Sequence, residues 1–96
     1  MTREYILKKL QEHKLYLEEE FGVKKIGLFG SYATNSAQEG SDIDIFVDIQ
    51  DAKFRKVARL WNYLESLYNT KIDLFQEHQK SSGAIYEHIK KETIFV

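Results

Sequence analysis

The chain has 96 residues, 43% of them hydrophobic and 14% aromatic, which is enough for one compact domain over 1–96 and too little for two cores. Fourteen Lys and Arg against fifteen Asp and Glu leave a formal net charge of −1, so the bulk electrostatic footprint of direct nucleic-acid binding or of an anionic membrane surface is missing. Cysteine is absent, which excludes disulfides and thiolate metal sites; no apolar run approaches the ~18 residues of a membrane span, and the opening MTREYILKKL is amphipathic rather than a signal sequence, so a cytoplasmic protein is expected.

In chain order, Ile6, Leu10 and Leu17 recur at helical spacing and predict a helix over residues 2–20, stopped by Gly22. Residues 25–29, KIGLF, form a short β-like run that ends at Gly30-Ser31 and turns into a short helix at Tyr32-Ala33-Thr34. The small polar stretch 35–41 is a loop. A second strand covers 42–49, with Ile43, Ile45, Val47 and Ile49 on one face. Phe54, Val57, Ala58, Trp61, Leu64 and Tyr68 predict a helix of about four turns over 53–69. A third strand spans 71–75, Ile85, Tyr86 and Ile89 suggest a last helix, and residues 93–96 end extended. The predicted class is α/β (α+β), a small mixed sheet flanked by helices.

The second strand, its following helix and the third strand make a βαβ unit, which favours a parallel pair. Asp42 and Asp44, two apart on one strand, project from the same face, and a parallel neighbour about 4.8 Å away can present Asp73 beside them. Such a cluster repels itself and calls for a cation. Oxygen ligands without His or Cys suit a hard ion, Mg²⁺ or Mn²⁺, whose shell is usually completed by water and phosphate. Gly30-Ser31 supplies the other half: backbone N–H groups at a helix start favour an anion, and glycine permits close approach. Together these elements describe a phosphoryl or nucleotidyl transfer site.

The stretch GSYATNSAQEGSDID, that is Gly-Ser, ten residues, then Asp-any-Asp, closely resembles the active-site signature of the polymerase-beta-like nucleotidyltransferase superfamily, and most of all its minimal nucleotidyltransferases. The likeness extends over nearly the whole chain. It implies the nucleotidyltransferase fold, with Gly30 and Ser31 holding the nucleotide phosphates, Asp42 and Asp44 ligating the metal ions, and Asp73 completing the metal site and helping to activate the acceptor hydroxyl. It further implies ATP as substrate and a role as antitoxin, transferring AMP to a tyrosine hydroxyl of a HEPN-domain toxin partner in a hetero-oligomeric complex. The alternatives are a nucleotidyltransferase acting on a small molecule such as an antibiotic, and a non-catalytic antitoxin that neutralises by contact. Members of the family often have Ala-Arg-Gly where this chain has Ala33-Thr34-Asn35, one cation and one glycine fewer, although asparagine tolerates the left-handed conformation.

The remaining polar residues have plainer expectations. Asp48 continues the Asp42 face further from the junction, as a solvated strand-end residue. His13, His78 and His88 share no ligand spacing and serve surface or packing roles. Trp61 belongs to the core, and Lys8, Lys9, Lys24, Lys25, Arg55, Lys56 and Arg59 to solvated faces, with Lys90, Lys91 and the basic positions around the third helix available to an acidic partner or RNA.

Overall fold

The computed structural model describes residues 1–77 and 83–96. The elements follow in the order α1 (Arg3–Phe21), β1 (Val23–Phe29), α2 (Gly30–Ala33), β2 (Ile43–Ile49), α3 (Phe54–Tyr68), β3 (Ile72–Gln76), α4 (Ala84–Glu92) and β4 (Ile94–Phe95). Boundaries differ from the sequence expectation by a residue or two, because caps and ladder hydrogen bonds, rather than periodicity, decide the ends. The hydroxyl of Thr2 accepts from the Tyr5 N–H at the start of α1, and Gly22, at φ 68°, closes its end.

The four strands form one sheet in the order β3-β2-β1-β4. β2 and β3 are parallel, whereas β1 runs antiparallel to both β2 and β4. Helices α1 and α3 cover one face. There Ile6, Leu10, Leu17, Leu60 and Leu64 close over Ile26, Leu28, Ile43, Ile45 and Val47, all of them sealed from solvent. Burial of each such side chain is worth roughly 1.5–3 kcal/mol. The Tyr68 hydroxyl ties the two helices by donating to the Ile6 carbonyl at 2.7 Å. Phe54 departs from expectation: it has helical core spacing yet is 87% exposed, in the first turn of α3. Among the described residues no helix is long and apolar enough to cross a membrane.

The opposite face carries Asp44, Phe46 and Asp48 of β2. Phe46 is fully buried there, stacked on Phe75 at 5.8 Å and flanked by the rings of Tyr86 from α4 and Phe95 from β4. Alternation along β2 therefore buries both faces in its middle and leaves one face open at its ends.

Candidate functional site

The site begins where β1 ends. Gly30 takes φ +75°, and a Cβ built on it would overlap Asp44 Oδ2. Any other residue would be strained in that left-handed conformation and would displace the carboxylate. The absence of a side chain at Gly30 thus makes the space that Asp44 occupies. Phe29, the residue capping α2, offers no side-chain acceptor, so the first N–H groups of the turn lack the partner that a Ser or Asp cap would give. The turn is closed from the other end. The Thr34 hydroxyl donates to the Gly30 carbonyl at 3.3 Å and meets the Ser36 hydroxyl at 2.8 Å, Asn35 adopts φ 59°, and Arg3 Nη1 donates to the Ala33 carbonyl at 3.2 Å. The asparagine accepts the left-handed conformation expected of it.

Asp42 lies just before β2 and Asp44 within it, on the face opposite the helices. The ladder pairs Asp44 with Phe29 of β1 on one side and with Asp73 of β3 on the other. The parallel pairing therefore brings Asp42, Asp44 and Asp73 to one end of one face, beside Gly30-Ser31. Asp42 and Asp44 are half-buried and Asp73 is exposed. The Asp44 carboxyl is raised above its ordinary value by burial, then by the charges of Asp73 and Asp42. None of the three forms an ion pair among the described residues. The donors are all carboxylate oxygens, the chemistry that suits Mg²⁺ or Mn²⁺. Among the described residues no three Asp, Glu, His or Cys side chains are placed to hold a metal ion by themselves. The arrangement fits an ion that keeps water and phosphate oxygens in its shell rather than one enclosed by protein.

Two rows further along the same face, Asp48 departs from the expected solvated role. It is half-buried, and its carboxyl is raised by burial and by Glu77. Glu77 is held below the usual carboxylate range, chiefly by the Tyr86 hydroxyl donating to Oε1 at 2.5 Å, with Lys90 Nζ donating at 3.2 Å. Tyr86 itself is pushed up to about 12 by desolvation and by Glu77. Sequence reasoning missed this group. The signal was present in the alternation Asp73, Phe75, Glu77, which continues the Asp73 face past the end assigned to the third strand.

The two histidines among the described residues have partners other than Asp42, Asp44 and Asp73. His13 Nδ1 meets the Tyr63 hydroxyl at 3.0 Å and His88 pairs with Glu92 at 3.3 Å; His78 lies outside the described residues. Trp61 packs against the core, as expected, and donates from Nε1 to the Ile72 carbonyl at 2.7 Å.

With this geometry in place, known proteins supply the comparison. The family described as polymerase beta, nucleotidyltransferase matches residues 11–96. The chain is 39% identical over 97 residues to the protein adenylyltransferase MntA of Thermococcus cleftensis, covering 100% of this chain and 97% of that relative. A solved structure assigned as a minimal nucleotidyltransferase superposes with a TM-score of 0.79 at 29% identity, covering 98% of this chain and 95% of the other. A chain from a toxin–antitoxin crystal structure with AMP-PNP superposes with a TM-score of 0.67 at 23% identity, covering 99% of this chain and 72% of the other. At that identity the likeness speaks for the fold.

Proposed function

Because the chain belongs to the polymerase beta nucleotidyltransferase family, we propose that it transfers AMP from ATP to a tyrosine hydroxyl of a HEPN-domain toxin and so acts as its antitoxin. The observation that carries this reading is the fit of Asp44 into the space left by Gly30, in register with Asp73. Phosphate-binding turn and carboxylates are thereby built as one unit. The relative named as a protein adenylyltransferase and the toxin–antitoxin neighbour crystallised with AMP-PNP support the substrate and the kind of partner.

In the proposed reaction Gly30 and Ser31 receive the β- and γ-phosphates through backbone N–H groups and the serine hydroxyl. Asp42 and Asp44, with Asp73, would hold the divalent ion, which when bound neutralises phosphate charge and orients the displacement. Asp73, exposed on the outer strand, accepts the proton of the incoming tyrosine hydroxyl. A bond forms between that oxygen and the α-phosphorus, the bond from the α-phosphorus to the bridging oxygen breaks, and pyrophosphate leaves with the electron pair.

The test uses the purified protein, a catalytically disabled toxin encoded beside it, Mg²⁺ and ATP labelled at the α-phosphate. Label should pass to the toxin and vanish with Asp42→Asn plus Asp44→Asn. If the disabled toxin stays unlabelled by the unaltered protein while active toxin is neutralised on mixing with it, transfer is refuted in favour of neutralisation by contact.

A further inference from the structure

The loop from Gly30 to Ser41 contains no Lys or Arg, and a bound triphosphate would add further negative charge to three carboxylates. Where, then, is the protein's own positive charge? Strand alternation puts Lys25 on the carboxylate face, but in the ladder it pairs with Asp48, at the far end. Arg3 is engaged with the Ala33 carbonyl and with Glu4. Lys90 is committed to Glu77.

Lys71 is different. The ladder pairs Ile43 with Ile72 and Asp44 with Asp73, and Ile43 N–H donates to the Lys71 carbonyl at 3.1 Å. One step before the first pair, Lys71 therefore stands beside Asp42, and its spacing from Asp73 puts it on the same face. Its backbone is fixed by its neighbours: the Ile72 N–H donates to Glu65 Oε2 at 3.2 Å and the Ile72 carbonyl accepts from Trp61 at 2.7 Å. Lys71 itself is exposed and forms no ion pair among the described residues. A flexible cation on a rigid strand end can meet an incoming oxygen as a point charge.

The order across the sheet decides which oxygen. Gly30-Ser31 follows β1, Asp42 and Asp44 belong to β2, and Lys71 and Asp73 to β3. With the β- and γ-phosphates over β1 and the α-phosphate over β2, the third position belongs to the acceptor. Resting on the transfer reaction above, we propose that Lys71 is a catalytic residue on the acceptor side. Its ammonium meets the non-bridging α-phosphate oxygen next to the attacking hydroxyl and stabilises the charge that gathers there as the new bond forms, while Asp73 takes the proton.

The experiment compares the unaltered protein with Lys71→Gln and Lys71→Arg. It measures kcat and KM for labelled AMP transfer to the toxin, the Kd of Mg·ATP by calorimetry, and Tm. Loss of one preorganised donor costs on the order of 10²-fold in kcat, and Lys71→Gln should show about that loss with Kd for Mg·ATP within about 2-fold and Tm unchanged, and Lys71→Arg should recover at least a tenth of the rate. An unchanged kcat in Lys71→Gln overturns the role while leaving transfer intact. A loss found wholly in Mg·ATP affinity overturns it too, because it puts Lys71 on the leaving-group side. An unaltered protein that transfers nothing removes the reaction and the role together.

Discussion

The two ends of one sheet face make an instructive pair. At one end the β2–β3 ladder sets Asp44 beside Asp73; at the other, the same alternation sets Asp48 beside Glu77. Both are like-charge pairs across parallel strands, and both would be costly if left alone. The second is compensated by the protein itself, through Tyr86 and Lys90 on α4 and the nearby charges of Lys24 and Lys25. The first has no ion-pair partner among the described residues. One pair docks a helix, and the other is left without such a partner among the described residues. Carboxylates become candidates for catalysis when the fold withholds their compensation, not merely when they cluster.

The largest effect expected from this comparison is the contrast between matched substitutions at its two ends. Asp44→Asn should lower AMP transfer by at least ~10³-fold, as loss of a metal-holding carboxylate and its preorganised field would. Asp48→Asn should leave kcat within about 3-fold. Equal losses in the two variants, measured with α-labelled ATP, would erase the distinction.

Next in size is Gly30→Ala. A Cβ at this position overlaps Asp44 Oδ2, and the backbone sits at φ +75°. The left-handed conformation alone costs about 1–2 kcal/mol, or roughly 4–10 °C in Tm for a domain of this size. Displacement of Asp44 should add a loss of about 10²-fold in kcat/KM. A variant that keeps its rate while losing stability would show that the carboxylate does not need the space that glycine leaves.

Much of the upper end was legible in the sequence, and the reason is local. Gly30, Ser31, Asp42 and Asp44 fall within fifteen residues, and a βαβ connection makes the third strand parallel, so Asp73 could be placed beside Asp44 before any coordinates were known. The lower end depends on contacts that no short window contains. Glu77 reaches Asp48 only because β3 continues to Gln76, and Tyr86 reaches Glu77 only because α4 folds back over the face that Phe46 buries. The pairing of β4 with β1 was equally hidden, since a two-residue strand carries almost no period of its own. Phe54 failed for the opposite reason: its spacing was right, but spacing does not say whether anything packs against the first turn of a helix.

A smaller effect separates the ends by their response to pH. The Asp44 carboxyl is raised in the folded protein, so the native state binds more protons than the unfolded chain from about pH 4 upward, and stability falls as pH rises through that range. Asp44→Asn should remove this slope and, without nucleotide, raise Tm at pH 7. Mg²⁺ with ATP should raise the Tm of the unaltered protein and leave that of Asp44→Asn nearly unmoved. An Asp44→Asn protein that is less stable than its parent at pH 7, yet equally stabilised by Mg·ATP, would contradict both halves of this expectation.

The smallest effect belongs to Tyr86→Phe, which removes the hydroxyl that donates to Glu77 while keeping the ring against Phe46 and Phe75. Glu77 is lowered in the folded state, chiefly by that hydroxyl, so its contribution to stability is present above the unfolded value of 4.5 and is lost as pH falls through the lower folded value. Without the hydroxyl, Glu77 titrates closer to its unfolded value and part of that contribution disappears at neutral pH. Tm at pH 7 should drop by about 2–4 °C, the deficit should shrink towards pH 3, and AMP transfer should stay within about 3-fold. The lower pair is separated from the upper by the buried row of Phe46 and Phe75, so loosening it should not reach Asp44. A transfer rate that fell as far as in Asp44→Asn would mean that α4, through Tyr86, holds the carboxylates themselves in place, and the two ends of the face would then be one device.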